Sequence, residues 1–135
     1  MGQEAERAER LREVLEDLTV VNMEVPVIVE GKRDATALRA LGLMGEIITL
    51  NRGQSLHDFT EDLLDSYDYV ILLMDWDQTG EKLHQRLSQE LAGHWEAHEG
   101  MRRVLKILCQ KDTKDVEGIP SLLARLAAAS EIPRP

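Results

Sequence analysis

With 135 residues, 43% of them hydrophobic, the chain suffices for one domain with a buried core, which argues against wholesale disorder. No apolar run approaches the roughly 20 residues that span a bilayer, the charged stretch Gln3 to Arg12 lacks the apolar core of a secretory signal, and a single cysteine, Cys109, excludes an internal disulfide or a zinc ribbon; the expectation is a cytoplasmic, non-membrane protein. The formal charge of −9 weighs against tight, non-specific binding to nucleic acid, whose phosphates are held by Lys and Arg, yet it is uneven: residues 1–19 carry six acids against three arginines, whereas residues 102–115 carry five bases against two acids.

Leu11, Val14, Leu15 and Leu18 recur at i, i+3, i+4 and i+7, which predicts an amphipathic helix over about residues 4–18. Its role is either to cover the rest of the fold or to form a dimer contact. Pro26 opens the apolar run Val27-Ile28-Val29-Glu30, ended by Gly31, which reads as a buried strand. A helix is predicted over 34–41, with Asp34 as its N-cap and Gly42 just beyond its end. Ile47 to Leu50 make a second strand, left through Asn51-Arg52-Gly53. Ser55 with Asp58 resembles a capping box for a helix bearing Leu56, Phe59, Leu63 and Leu64.

Tyr69 to Met74 form the strongest strand signal, and the absence of alternation implies a strand covered on both faces. Asp75-Trp76-Asp77-Gln78 is its exit loop, and Thr79 is placed to cap a helix striped by Leu83, Leu87 and Leu91. Residues 94–109 are read as mainly helical through Met101, Val104, Leu105 and Leu108, with a short strand at His94 to Glu96 and a strand at 104–109 as alternatives. Pro120 suits the first turn of a last helix carrying Leu122, Leu123 and Leu126, and the tail from Glu131 to Pro135 is expected to fray. The organisation is therefore a lead-in helix over 1–23, one α/β domain over 24–130, and a tail over 131–135.

Alternation of strands and helices implies a mainly parallel sheet with helices on both faces. Parallel strands deliver their C-terminal ends to one edge, where open α/β sheets bind ligands. Glu30, Arg52 and Asp75, distant in sequence, are thereby steered to a common rim. Carboxylates there suit a hard divalent cation such as Mg²⁺, or Mn²⁺ in its place. Asp75 and Asp77 are the candidate ligands. Glu30 either completes that set or acts as general acid or base. Lys32, Arg33 and Arg52 are candidates for holding substrate phosphates, joined by Thr79 and Gly80 at a helix N-terminus. Asp34 either caps its helix or orients the site.

Glu30-Gly31-Lys32-Arg33-Asp34 after one strand, Asn51-Arg52-Gly53 after the next, and Asp75-Trp76-Asp77-Gln78-Thr79-Gly80 after a third together resemble the Toprim domain. That domain is shared by topoisomerases, bacterial-type primases, certain nucleases and the enzymes that mature ribosomal RNA. The resemblance covers roughly residues 24–120 and implies a Rossmann-like parallel sheet. It also implies a general acid/base at Glu30, Mg²⁺ held by Asp75 and Asp77 together with Glu30, and an RNA or DNA substrate. Lys111 to Asp115 loosely resembles the Lys-Asp segment that follows the core in primase-like members. No strand-passage, zinc-binding or helicase-binding domain accompanies the match, so the chain is most similar to minimal, stand-alone Toprim proteins. The implied activity is nuclease or related phosphoryl-transfer chemistry.

Two other readings stand beside it. A Toprim-like module could retain its acids and only bind nucleic acid or a protein partner, a reading that the net acidity favours. Asp75-Trp76-Asp77-Gln78-Thr79 also satisfies the Asp-x-Asp-x-Thr pattern of haloacid-dehalogenase-type phosphatases, with Asp75 as nucleophile, although those enzymes carry the motif on their first strand. Among the remaining side chains, His94 and His98 have the i, i+4 spacing of helical metal ligands but lack a third partner. His57 and His84 are expected at the surface. Trp76 is suited either to stacking on a base or to packing, Trp95 to core or interface, and Cys109 to burial.

Overall fold

A computed structural model describes residues 2–50 and 52–130. Three parallel strands, β1 (Val27–Val29), β2 (Ile47–Thr49) and β3 (Ile71–Leu72), are ordered β2-β1-β3. Val27 stands opposite both Ile47 and Ile71, and Ile28 opposite Ile48 and Leu72. Around them lie α1 (Gly2–Asn22), α2 (Lys32–Ala40), α3 (Leu56–Ser66), α4 (Gln78–Glu90), α5 (Glu99–Cys109) and α6 (Ile119–Ser130). None of these helices is long and apolar enough to cross a membrane.

Successive side chains on a strand point to opposite faces, and the sheet uses this to organise two cores. Val27, Val29, Ile71 and Leu73 pack with Leu11, Leu15 and Leu18 of α1, Leu38 of α2, Leu105 of α5 and Leu122 of α6. Ile28, Val70, Leu72 and Met74 pack on the other side with Phe59 and Leu63 of α3 and Leu87 of α4. Both faces are covered, which is why the strands read as continuous apolar runs rather than alternating ones. The first helix therefore covers the sheet. It runs on to Asn22, whose buried side chain donates to Val25 O (3.1 Å) and Glu46 O (2.9 Å) and accepts from Gly45 N (2.8 Å), tying the helix end to the entrance of β2.

Several boundaries differ from expectation, each for a local reason. α2 begins at Lys32, not at Asp34. Asp34 is its third residue, and its carboxylate reaches back to accept from the Gly31 N–H at 3.1 Å. α4 is capped by Asp77 rather than Thr79, with Asp77 Oδ1 accepting from Gly80 N at 2.7 Å. In α2 the anticipated cap reaches back from the third helical position to the N-cap amide, and in α4 an acid two residues before the anticipated cap satisfies a first-turn amide. Ser55 does cap α3, accepting from Asp58 N at 3.1 Å. The regular part of β3 is shorter than 69–74, although Val70 to Met74 are all buried. At its end the Asp75 N–H donates to a carboxylate, not to a neighbouring strand. Residues 94–96 form no strand. The Gly93 and Trp95 amides donate to the Glu96 carboxylate, Gly93 adopts φ +92°, and the chain turns into a short 3₁₀ segment, Glu96–His98, before α5. The tail 131–135 lies outside the described residues.

Candidate functional site

The C-terminal ends of β1 and β3 lie side by side, and each is followed by an acid. Glu30 Oε2 accepts the Asp75 N–H at 2.7 Å, so the two exit loops are stitched together by a side chain where the ladder stops. Asp75 is 9% exposed, and its Oδ1 accepts from Val116 N at 2.9 Å, which brings the 3₁₀ segment Val116–Gly118 against the site. Asp34, buried one turn into α2, adds a third carboxylate. Burial pushes the Asp75 carboxyl up to about 8; the Val116 N–H opposes this, and the charges of Asp34 and Glu30 raise it further. Asp34 is also held above the usual carboxylate range, by burial first, against the Gly31 amide and with the charges of Glu30 and Asp115 adding to it.

Asp77 stands apart from this trio in role. It is half-buried, and one of its carboxylate oxygens is engaged as the cap of α4. The structure thus joins Glu30 to Asp75 directly and surrounds them with Asp34. Among the described residues, no group of three His, Cys, Asp or Glu side chains is set closely enough to enclose a metal ion. Lys32 and Arg33 open α2 and are exposed; Arg33 Nη1 lies 4.0 Å from a Glu117 carboxylate oxygen. Arg52 is exposed in the turn after β2, and Thr79 is exposed in the first turn of α4. Gly80 is different: it is buried, its amide is engaged by Asp77, and a Cβ there would sit 2.1 Å from Asp75 O. Glycine at this position permits close approach of helix and loop rather than offering a free amide.

Sequence reasoning missed Arg102. It is 6% exposed and donates through Nε to Met74 O (2.7 Å) and through Nη2 to Asp75 O (2.7 Å) and Glu81 Oε1 (3.0 Å). The signal was present in outline, since Arg102 stands three residues before Leu105 on the buried stripe of α5. The basic stretch 102–115 is consequently not a free positive patch. Lys106 pairs with Glu81 and Arg103 with Glu99, while Asp112 binds Arg7 and Arg125 and is held below the usual carboxylate range by those hydrogen bonds. Glu81 is likewise held low by Lys106 and Arg102 against its partial burial.

Trp76 takes the packing role. It is 6% exposed, its indole N–H donates to Thr113 O at 2.7 Å, and its amide donates to Lys114 O at 2.9 Å. The Lys111 to Asp115 segment is thereby fastened beside the acids. His84 is not a surface residue: it is half-buried, meets Trp95 edge-on at 5.2 Å, and its buried Nδ1 has no partner among the described residues. Burial, and then Arg102, hold it below the ordinary histidine range. His57 is at the surface, between Glu61 and Glu90. His94 and His98 flank a turn instead of sharing a helix, and His94 Nδ1 lies 2.8 Å from Asp68 O. Trp95 packs against the α3–α4 core, and Cys109 is buried.

Comparison with known proteins places the chain in a family. The Toprim domain profile matches residues 25–107. A UPF0292 protein of Pyrococcus furiosus is 38% identical over 117 residues, 87% of this chain and 86% of that protein. A UPF0292 protein of Methanosarcina barkeri is 34% identical over 122 residues, 89% of this chain and 85% of its own. The solved structure of a putative protein from Aquifex aeolicus superposes with a TM-score of 0.62 at 28% identity, covering 78% of this chain and 94% of that one. With the profile spanning the strands, the paired acids and Arg102, and relatives aligned over most of their length, the chain belongs to the Toprim domain family, among the UPF0292 proteins.

Proposed function

We propose that this protein carries out Mg²⁺-dependent phosphodiester chemistry on nucleic acid, as a nuclease or a related phosphoryl-transfer enzyme. Toprim domains are typically metal-binding parts of nucleic-acid enzymes. The observation that carries the reading is the pairing of Glu30 with Asp75, beside Asp34, at the C-terminal edge of a parallel sheet. Mg²⁺ takes oxygen donors, commonly one or two protein carboxylates with waters and substrate phosphates completing its shell. The Glu30–Asp75 pair supplies such donors, and the mutual repulsion that helps raise Asp75 is what a dication would offset. The residues therefore fit the ion. Asp75 and Glu30 would hold it, with waters and substrate phosphates as the remaining donors, while Asp77, engaged as the cap of α4, would stand outside that pair. When bound, the ion would offset charge developing on a reacting phosphate.

The remaining roles belong to the chain itself. Glu30 takes up or releases the proton of the attacking or leaving oxygen. Asp34 keeps the Gly31 turn in place and so orients Glu30. Lys32, Arg33 and Arg52 hold the substrate backbone through charge, and Thr79 contributes from the first turn of α4, near the amides that a helix N-terminus leaves unpaired. Gly80 is assigned a spacing role. Support for the phosphatase reading is weaker, because Asp75 follows the third strand, β3, whereas those enzymes carry the motif on their first.

The test is incubation with mixed structured RNAs and DNAs plus Mg²⁺ or Mn²⁺, beside Asp75→Asn. Divalent-dependent cleavage or joining is expected, reduced at least about 100-fold in the variant, the scale on which a transition-state charge contact is lost. Retention of nucleic acid without any chemistry would replace the proposal with a binding module. A phosphoryl adduct trapped on Asp75 would replace it with a phosphatase.

A further inference from the structure

We infer that Arg102 is the positioning residue of this site: a buried guanidinium that fixes the loop bearing Asp75 by gripping the peptide carbonyls of Met74 and Asp75 itself. The inference rests on the site reading proposed above and adds to it a group outside the acidic motif. A strand that ends at an active edge has carbonyls with no further neighbour, and here two of them in succession receive Arg102 Nε and Nη2 at 2.7 Å each. The same guanidinium is anchored from its far side by Glu81 at 3.0 Å, and Glu81 is itself held by Lys106 at 3.1 Å. At 6% exposure the cation is desolvated, so its placement depends on these partners.

The consequence for Asp75 follows from geometry. Its carbonyl is held by Arg102 and closely approached by Gly80, its N–H by Glu30, and its Oδ1 by the Val116 amide. Both polar backbone groups of the residue and one of its carboxylate oxygens are thus held from different parts of the chain, which fixes where the carboxylate sits. Lysine cannot reproduce this, because one ammonium cannot serve two carbonyls and a carboxylate in the planar fork that arginine provides.

The test uses the full chain and Mn²⁺ alone as the probe, followed by electron paramagnetic resonance. Arg102→Lys is expected to melt cooperatively but to bind Mn²⁺ at least about tenfold more weakly. Glu81→Gln, which loosens the anchor without emptying the buried position, should weaken binding about threefold, and Glu99→Gln, which touches only the exposed Arg103, should leave it unchanged. If Arg102→Lys does not fold, Glu81→Gln alone decides, and wild-type Mn²⁺ affinity in that variant overturns the inference. A folded Arg102→Lys with unchanged affinity overturns it too. Should the unaltered protein bind no Mn²⁺, the metal reading falls separately, and amide hydrogen exchange decides the positioning role. Selective loss of protection at the Asp75 amide in either variant upholds it; unchanged protection there removes it.

Discussion

At the scale of single residues, Asp75 concentrates most of the opposing forces in the molecule. Its carboxyl is buried, faces two other acids, and is pushed up to about 8 from an ordinary value of 3.8. The folded state therefore binds its proton more tightly than the unfolded state does. The stability this contributes is full below the unfolded value and is lost progressively as pH rises towards 8. Thermal melts of the metal-free protein should accordingly show a midpoint that falls between pH 6.5 and 8.5. Asp75→Asn keeps an oxygen for the Val116 amide but cannot ionise, so its midpoint should exceed that of the unaltered protein at pH 8.5 and lose this part of the slope. Equal slopes for both proteins would mean that Asp75 is not the group responsible. Mg²⁺ should restore the unaltered protein at pH 8.5 and leave the variant unmoved.

At the scale of elements, the entrance to α4 is a tight junction. Asp77 caps the helix through Gly80 N, and Gly80 in turn lies so close to the Asp75 carbonyl that an added Cβ would stand 2.1 Å away. The obstructing atom is backbone, held by Arg102, and so cannot rotate aside. Gly80→Ala should destabilise the protein by about 1–3 kcal/mol, the usual cost of overpacking, despite alanine's better helix propensity. Urea denaturation checks the sign: a variant as stable as the original, or more so, would show that the loop yields easily. The same variant should weaken divalent-ion binding, because relief of the clash moves the loop that carries Asp75.

At the scale of the whole molecule, α1 is part of the core and not an appendage. Ala8, Leu11 and Leu18 are fully buried and join the same cluster as Val27 and Val29 of the central strand. Leu18→Ala should therefore cost about 2–5 kcal/mol, in the range of buried leucine truncations. A loss near zero in denaturant titration would mean that α1 contributes nothing to the cooperative unit. An ionic cluster reinforces the docking: Arg7 donates to Leu108 O at 2.9 Å and pairs with Asp112, which also holds Arg125 of α6. The ion pair between these two segments joins a base of the acidic N-terminal stretch, Arg7, to an acid of the basic one, Asp112. Lys32 and Arg33 are exposed at the start of α2, and Arg52 is exposed in the turn after β2.

Local pattern in the chain was enough to place helices and strands in order, to require a sheet covered on both sides, and to put Glu30 and Asp75 at strand ends. Each of these follows from periodicity or from the chemistry of neighbouring residues, which short-range sterics and burial translate directly into structure. Helix starts were misjudged by two to three residues at Asp34 and Thr79, because any of several acids or hydroxyls near a helix entrance can satisfy its first amides. What the tertiary structure alone decided is which groups meet across distance: Glu30 with the Asp75 amide 45 residues away, Val116 with the Asp75 carboxylate 41 away, and Arg102 with the Met74 carbonyl 28 away. Such partners are chosen by how whole layers pack around the sheet, and no window of sequence contains the free-energy balance that selects them. That is why an arginine inside a basic stretch proved to be buried behind the acids, and a tryptophan between two aspartates proved to be packed against a loop.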